Sequence, residues 1–185
     1  MKTKTSLSDP LRLAQLPVGN RGGLLGITLC PGKKAPSLEG FLWDRDLDLD
    51  LDEIAGWGAK AVLTLIEDEE FDALKVAALG AGVKARGLDW HHLPITDTKV
   101  PDARFESGWA KTGESIRALL LDGGRVVVHC KGGLGRAGTV AARILIELGT
   151  LPSDAMLQVR AVRKGAIEND QQARYVLALA PGAKR

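Results

Sequence analysis

The strongest constraint on the fold of this chain is a set of unbroken apolar runs of strand length. They occupy residues 24–30, 61–66 and 125–130 and are rich in Leu, Ile and Val. Such runs are typical of strands that are buried on both faces of a sheet. A fourth strand is predicted at 87–95. Because helical patterns separate the strands after residue 60, we predict an α/β fold with a mainly parallel central sheet and helices on both faces.

The helices are predicted from apolar spacing and from residues that start or stop them. Residues 70–83 have helical spacing, and Asp102 resembles the N-cap of a long helix that ends at 122–124. Another helix follows the strand at 125–130, and two more are predicted at about 153–164 and 170–180. Asp alternates with Leu in residues 44–54. Since Asp is a poor strand former, we predict a polar loop that leads into a short helix, and favour a solvated acidic surface over a cation site.

Length and charge limit the domain count and the classes of partner. The 185 residues suit one domain; residues 1–22 have weak periodicity and are predicted to be an extension that wraps the surface or is partly mobile, before a single domain at 23–185. The 25 basic and 23 acidic residues are too balanced to indicate nucleic acid or a membrane surface. No apolar run reaches the roughly 18 residues that span a bilayer. With two cysteines and no apolar stretch behind the basic N-terminus, we expect a reduced, cytoplasmic protein.

The turn after the strand at 125–130 contains the residue types of an anion-binding, nucleophilic site. Cys130 ends the strand and Arg136 opens the next helix. The residues between them are expected to offer backbone amides to a phosphate: Lys131, Gly132, Gly133, Leu134 and Gly135. A helix N-terminus and a glycine-rich turn bind anions, and a guanidinium grips two oxygens of a tetrahedral anion. The same field favours the Cys130 thiolate, so we expect attack on a phosphate ester and a phosphocysteine intermediate. The alternative is a structural glycine turn with an inert cysteine.

The segment HCKGGLGR, residues 129–136, resembles the HCxxGxxR signature of the cysteine-dependent protein phosphatases, within the dual-specificity branch. The segments HHLPITDTKVPD, GGLGR and GAIE resemble those of the cyclin-dependent kinase inhibitor 3 family, also called kinase-associated phosphatase, in order and approximate spacing. The likeness covers roughly residues 23–180. It implies a protein-tyrosine-phosphatase-like catalytic domain that hydrolyses phosphate monoesters in two steps without a metal or other cofactor. It also implies that the substrate is a protein or peptide phosphorylated on tyrosine, serine or threonine.

A proton donor for the leaving oxygen is expected in the loop after the strand at 87–95. Such a donor contributes about 10²–10⁴ in rate. Asp97 and Asp102 are the two candidates, and Asp102 is already explained as a helix cap. The family resemblance places the acid at the Asp of Pro-Ile-Thr-Asp, which is Asp97. Asp97 would then protonate the leaving group and later act as base on the hydrolytic water.

Four further residues near these motifs have predicted roles. His129 is expected to bond backbone near the loop and hold its shape, without carrying protons. Gln171 is predicted to help order the attacking water, with a helix cap at Asn169 or Asp170 as an equal alternative. Ala137 stands where related phosphatases usually have Ser or Thr, so we expect slow breakdown of the intermediate. Cys30 is expected to be a core cysteine, with a reversible disulfide to Cys130 as the alternative.

Three other functions are weighed against a protein phosphatase. Lys131, directly after the nucleophile, suits the polyanionic headgroup of a phosphoinositide or an inositol phosphate. A sulfurtransferase also uses a cysteine loop, but Arg136 and Asp97 argue against one. A non-catalytic phosphate-binding module is disfavoured because both a nucleophile and an arginine are present. The physiological substrate and the oligomeric state do not follow from the sequence.

Overall fold

A computed structural model describes residues 2–182. The strands in this range are β1 (Thr3–Lys4), β2 (Ala14–Val18), β3 (Gly23–Thr28), β4 (Lys34–Pro36), β5 (Leu42–Asp44), β6 (Ala61–Thr64), β7 (Asp89–His92) and β8 (Arg125–His129). The helices are α1 (Leu47–Gly56), α2 (Asp68–Ala73), α3 (Leu79–Ala85), α4 (Ala103–Leu121), α5 (Gly135–Glu147), α6 (Pro152–Val162) and α7 (Asp170–Leu177). No helix in the described range is long and apolar enough to cross a membrane.

The central sheet has five strands in the order β2-β3-β8-β6-β7. Strands β3, β8, β6 and β7 run parallel, and β2 pairs antiparallel with β3 at one edge. Buried residues of α4, α5, α6 and α7 pack in one apolar cluster, while those of α1 and α3 pack in a second. The prediction of a mainly parallel sheet covered on both faces is therefore confirmed. The carboxyl ends of all the parallel strands lie along the same edge of the sheet, and ligands bind at this carboxyl edge in such folds.

The N-terminal 22 residues contain two strands that the sequence analysis did not predict. β2 lies at the sheet edge, where its Leu16 and Val18 are buried. Its Pro17 is tolerated because an edge strand has hydrogen-bonding neighbours on one side only. β1 pairs with β5 in a separate sheet of order β1-β5-β4. Much of this segment is thus built into the two sheets, and it brings the small sheet near the edge where the parallel strands end.

The prediction of a polar loop at 44–54 was wrong in extent, because α1 begins at Leu47. Asp46 caps this helix by accepting a hydrogen bond from the Leu49 amide at 3.0 Å. The alternation of Asp and Leu hides a helical spacing, in which Leu51 and Ile54 are buried. Asp50 is also buried, against Arg45, so the acidic segment is not uniformly solvated.

The single helix predicted at 70–83 is two short helices, α2 and α3. The chain turns between them at Lys75, which has a φ of 61°. This left-handed conformation cannot continue a right-handed helix. The break matters for the site because it lets α2 sit directly after β6, at the edge where the parallel strands end.

Candidate active site

The loop between β8 and α5 has a backbone shape that requires glycine. Gly133 has a φ of 68°, and a Cβ at this position would collide with the Thr28 carbonyl on the neighbouring strand β3. The loop therefore lies tightly against the end of β3. Cys130 is at its start and Arg136 is in the first turn of α5.

Side chains from three other parts of the protein hold the carbonyl groups of this loop. His129 Nδ1 lies 3.2 Å from the Cys130 carbonyl oxygen, and Lys33 Nζ donates to the Lys131 carbonyl oxygen at 3.0 Å. Arg163 donates from Nη2 to the Gly132 oxygen and from Nε to the Gly133 oxygen, both at 3.0 Å. Because a trans peptide is planar, each following amide N–H points to the opposite side. The amides of 131–134 are thereby turned away from these donors, which is the arrangement of an anion-binding nest.

A cavity of about 840 Å³ opens beside the loop and runs to the small sheet. Its lining brings together most of the residues singled out from the sequence, namely Asp97, Cys130, Lys131, Gly132, Leu134 and Gly135. Cys130 is 3% exposed, so its sulfur is sheltered while it borders the cavity. Within residues 2–182, no group of three or more His, Cys, Asp or Glu side chains is arranged to hold a metal ion.

Arg136 is buried and is held in place by α2 and by the loop after β7. Its Nη1 and Nη2 donate to the two carboxylate oxygens of Glu70 at 2.6 and 2.9 Å, and Nη1 also donates to the Ile95 carbonyl oxygen at 2.9 Å. Nη2 lies 3.0 Å from Asp97 Oδ1. Burial opposes the charge, but the hydrogen bonds to Glu70 and the nearby acidic groups raise the pKa of Arg136 above its ordinary value. Nε is buried and has no hydrogen-bond partner among the described residues.

Glu70 is a site residue that the sequence analysis missed. Burial would raise the pKa of its carboxyl group, but hydrogen bonds from Arg136 and from the Glu67 amide lower it below its usual value. Glu70 is therefore ionised and fixes the plane of the guanidinium. The available signal was its position just after β6, since the loops that follow parallel strands meet at one sheet edge.

The two candidate acids, Asp97 and Asp102, have different surroundings. Asp97 lines the cavity with a side chain that is 48% exposed, and its Oδ1 accepts from the Thr98 amide at 3.0 Å. Asp102 accepts from the amides of Arg104 and Phe105 at 3.0 and 3.2 Å. The helix-cap prediction for Asp102 is confirmed, and of the two only Asp97 borders the cavity.

His129 is fully buried in a short hydrogen-bonded chain. Trp90 Nε1 donates to Thr64 Oγ1 at 2.9 Å, and that hydroxyl lies 2.8 Å from His129 Nε2. The Thr64 proton is then directed at Nε2, which leaves Nδ1–H to donate to the Cys130 carbonyl. Burial lowers the pKa of His129 to about 4. The ring is therefore neutral near pH 7 and acts as a fixed hydrogen-bonding group.

Gln171 does not reach the cavity: it is exposed on α7 and lies outside the lining. Its neighbour Gln172 is the buried residue, and its side chain accepts from the Glu168 amide at 3.0 Å. The helix cap that was the alternative is present, because Asn169 accepts from the Gln172 amide at 2.9 Å. This cap sets the rotation of α7 and turns Gln172 inward, where its Nε2 donates to the Lys99 carbonyl oxygen at 3.4 Å.

Cys30 is buried at the end of β3, next to the strand that carries Cys130. Burial raises the pKa of the Cys30 thiol well above its usual range, so this thiol is neutral. The two cysteines pack in different apolar clusters on opposite faces of the central sheet. The core role expected for Cys30 fits this position better than a disulfide to Cys130 does.

Comparisons with known proteins agree with this geometry. Residues 45–150 match the family model described as "Polymorphic toxin system, DSP-PTPase phosphatase". Cyclin-dependent kinase inhibitor 3 from Rattus norvegicus is 30% identical over 172 residues, which cover 90% of this chain and 77% of the relative.

Two solved structures extend the comparison to the fold. Kinase associated phosphatase, crystallised with its catalytic-site cysteine changed to serine, has a TM-score of 0.78 and 26% identity, over 90% of this chain and 92% of that chain. PTPMT1 in complex with PI(5)P has a TM-score of 0.63 at 19% identity, over 83% and 87% of the two chains, which shows a shared fold. The chain belongs to the cysteine-dependent protein phosphatases, in the dual-specificity group that includes cyclin-dependent kinase inhibitor 3.

Proposed function

We propose that this protein removes phosphate from phosphorylated tyrosine, serine or threonine side chains of proteins through a phosphocysteine on Cys130. One observation carries the proposal. The carbonyls beside Cys130 are tied to donors outside the loop, so the amides are free for a phosphate, and the Arg136 guanidinium is held next to Asp97. This combination supports Cys130 as a nucleophile in a phosphate-binding loop, with Asp97 as the acid beside it.

In the first step the phosphate binds to the loop amides and to Arg136. The Cys130 thiolate attacks phosphorus, the S–P bond forms, and the P–O bond to the substrate breaks. Asp97 gives its proton to the departing oxygen, which leaves as an alcohol or a phenol. Arg136 and the amides neutralise the charge that builds up on the three remaining phosphoryl oxygens.

In the second step Asp97, now a carboxylate, takes a proton from water as the water attacks phosphorus. The S–P bond breaks, the thiolate is restored and inorganic phosphate is released. Asp97 is placed for both steps because its side chain is half exposed and lines the same cavity as Cys130. The contact with Arg136 keeps its carboxyl group near the bound phosphate.

The opposite wall of the cavity supports a protein side chain as the substrate. It includes Phe41 and Trp43, whose ring centroids lie 4.9 Å apart in an edge-to-face arrangement, together with the exposed Leu38. The cavity volume of about 840 Å³ exceeds what a phosphate group fills and is of the size of ligand pockets. An aromatic and aliphatic wall opposite a phosphate site suits a phosphorylated side chain and its neighbours.

A phosphoinositide or inositol phosphate is the second candidate substrate, and one observation favours it. The cavity lining includes several cationic side chains, which are Lys4, Arg12, Lys33, Arg45, Lys131 and Arg163. Acidic side chains offset them on the same walls: Lys4 pairs with Asp9 at 3.1 Å, and Glu39 and Glu168 also line the cavity. The mixed charge favours the protein substrate over a polyanionic headgroup.

The test compares variants and substrate classes. Cys130→Ser is expected to abolish hydrolysis of phosphotyrosine and phosphothreonine peptides, while the matched variant Cys30→Ala retains it. Asp97→Asn is expected to lose about 10²–10⁴-fold on peptides and much less on an aryl phosphate with a good leaving group. Hydrolysis that survives in Cys130→Ser would rule out the mechanism. A higher kcat/KM for phosphoinositide vesicles than for any phosphopeptide would instead favour the lipid substrate.

A further inference from the structure

Lys33 is a buried lysine that reaches the loop from the turn between β3 and β4. It is 7% exposed, and its Nζ donates to the Lys131 carbonyl oxygen at 3.0 Å. Its side chain lines the same cavity as Cys130. That carbonyl also accepts a hydrogen bond from the Cys30 amide at 3.3 Å, so it would remain paired without the lysine. The ammonium group is therefore not needed merely to satisfy the carbonyl.

Among the described residues, the groups that face Lys33 do not include a carboxylate that pairs with its ammonium group. Within residues 2–182 its Nζ has no Asp or Glu oxygen within 4.0 Å, since the ion pairs of this range do not include it. The Trp43 ring of β5 lies 5.3 Å away, and the charged neighbours are Arg45 and Lys131. Arg45 is neutralised by Asp50. The remaining neighbours are the thiols of Cys30 and Cys130.

Of these two thiols, Cys30 cannot supply a negative charge. Its pKa is raised far above its usual range by burial, so it stays neutral. Burying an ammonium group without an anion is strongly unfavourable unless another group compensates. Burial lowers the pKa of Lys33 to about 8, against the influence of the two cysteines, so the charge is present near pH 7. What can balance it is an anion inside the loop: the Cys130 thiolate, or a phosphate bound in its place.

We propose that Lys33 is a positioning residue of the active site, which aims the Gly132 amide through the Lys131 carbonyl and supplies the buried positive charge that partners the anion in the loop. The proposal rests on the proposed function, because it takes Cys130 as the nucleophile. In the resting protein Lys33 favours the thiolate, and in the complex it strengthens phosphate binding. It acts through the loop and through space, without contacting the leaving group.

The test replaces Lys33 by residues that separate charge from shape. Lys33→Met keeps the length and removes the charge, and Lys33→Arg keeps the charge. Lys34→Met is the matched control, because Lys34 is exposed, pairs with Asp44 and lies outside the cavity lining. Two readouts are used: the rate of Cys130 alkylation by iodoacetamide at pH 6, followed by mass spectrometry, and the inhibition constant of inorganic phosphate between pH 7.5 and 9.5.

Lys33→Met is expected to slow alkylation at pH 6 by about 10- to 100-fold, because it removes a buried positive charge that lines the same cavity as the thiolate. Its thermal midpoint should not fall below that of the parent protein, because the cost of burying the ammonium group is removed together with its attraction to the thiolate. In the parent protein, phosphate inhibition should weaken about 10-fold as Lys33 loses its proton above pH 8. Lys33→Arg should show no such weakening, and Lys34→Met should behave as the parent in both assays.

Three results would overturn the inference. They are unchanged alkylation in Lys33→Met, a pH response in Lys33→Arg equal to that of the parent, and a slower alkylation that is matched by a lowered thermal midpoint. Each differs from a failure of the proposed function itself. That failure would appear as peptide hydrolysis by Cys130→Ser, whatever the behaviour of the Lys33 variants.

Discussion

Arg45 and Arg136 are two buried arginines that differ in one respect. Each is 1% exposed and each is bonded to a carboxylate by two nitrogens. In Arg45 the third nitrogen is also used, since Nη1 donates to the Asp9 carbonyl oxygen at 2.9 Å. In Arg136 the Nε has no partner in the described part of the chain. An arginine with every nitrogen paired holds a structure together, whereas the unpaired Nε of Arg136 leaves one donor for the phosphate of the proposed function.

The carboxylate partners of the two arginines also differ, in how far they are exposed to solvent. Asp50 is 1% exposed and accepts a further bond from the Gly32 amide at 2.8 Å. Through it, Arg45 joins the N-terminal segment, the turn after β3 and α1. Glu70 is 15% exposed and lies at the edge of the site. The fully buried pair of Arg45 and Asp50 therefore fixes one wall of the cavity, and the partly exposed pair of Glu70 and Arg136 holds the guanidinium that we propose binds phosphate.

The largest effect is expected from Asp50→Asn, which breaks the fully buried ion pair with Arg45. Removing one partner leaves the Arg45 charge buried and unpaired, which costs about 3–5 kcal/mol of unfolding free energy. Glu70→Gln is the matched variant at the partly exposed pair, where partial solvation and the nearby Asp97 limit the loss to about 1 kcal/mol. Denaturant unfolding of both variants measures the difference. Equal losses would mean that the two pairs do not differ as their surroundings imply.

Arg136→Lys is expected to lower kcat/KM by about 10²–10³-fold, the cost of losing an aligned donor to the transition-state charge. A lysine keeps the charge but lacks the planar fork that pairs with both oxygens of Glu70 and still leaves Nε as a further donor. Arg45→Lys should show the reverse pattern, with reduced stability and nearly unchanged kcat/KM per folded molecule. Aryl phosphate kinetics and thermal unfolding on the same samples test this. A similar loss of kcat/KM in both variants would contradict the distinction.

A third buried polar group, His129, extends the comparison to a side chain that is kept neutral. Its pKa is about 4 in the folded protein, against 6.5 in a model peptide. Between these two values only the unfolded chain takes up the proton, so the free energy of unfolding falls as the pH is lowered from 6.5 to 4. The loss from this group amounts to at most about 3 kcal/mol.

His129→Asn removes this titration while keeping an amide that can bond the Cys130 carbonyl. The variant should be less stable than the parent at pH 7, and the two stabilities should converge as the pH approaches 4. Denaturant unfolding at four or five pH values measures the convergence. Parallel curves would show that the proton uptake belongs to other groups.

These contrasts also explain which parts of the structure could be predicted from the sequence. The runs at 24–30, 61–66 and 125–130 indicated the sheet because strands buried on both faces tolerate few polar residues. Cys130 and Arg136 could be assigned to one site from the sequence because they lie at the two ends of the same loop.

Other site residues could not be found in this way because tertiary structure brings them together. Glu70 meets Arg136 across 66 residues, and Lys33 meets Lys131 across 98. Gln171, the predicted site residue, is turned outward because it differs from Gln172 by about 100° around the helix, and the cap at Asn169 decides which of the two is buried. Asp50 looked solvated because a period-two pattern concealed the buried face of α1.

The smallest expected effect concerns Ala137, the residue after Arg136. It is fully buried in the first turn of α5 and has no hydroxyl to stabilise the Cys130 thiolate that leaves in the second step of the proposed mechanism. Thr139 cannot replace it, because its hydroxyl donates to the Gly135 carbonyl oxygen at 2.8 Å. We therefore expect a burst of product equal to the enzyme concentration, followed by slow turnover.

Ala137→Ser should raise the steady-state rate by about 10-fold without changing the burst rate, since a hydrogen bond to a charged sulfur is worth about 1.5 kcal/mol or more. Ala141→Ser places the same hydroxyl one turn further along α5, away from the sulfur, and should leave the steady-state rate as it is. Rapid-mixing kinetics with an aryl phosphate separate the two phases. If Ala137→Ser instead changed the burst alone, residue 137 would act with Arg136 in the formation of the phosphocysteine. Arg136 would then differ from Arg45 in its neighbouring residue as well as in its unpaired nitrogen.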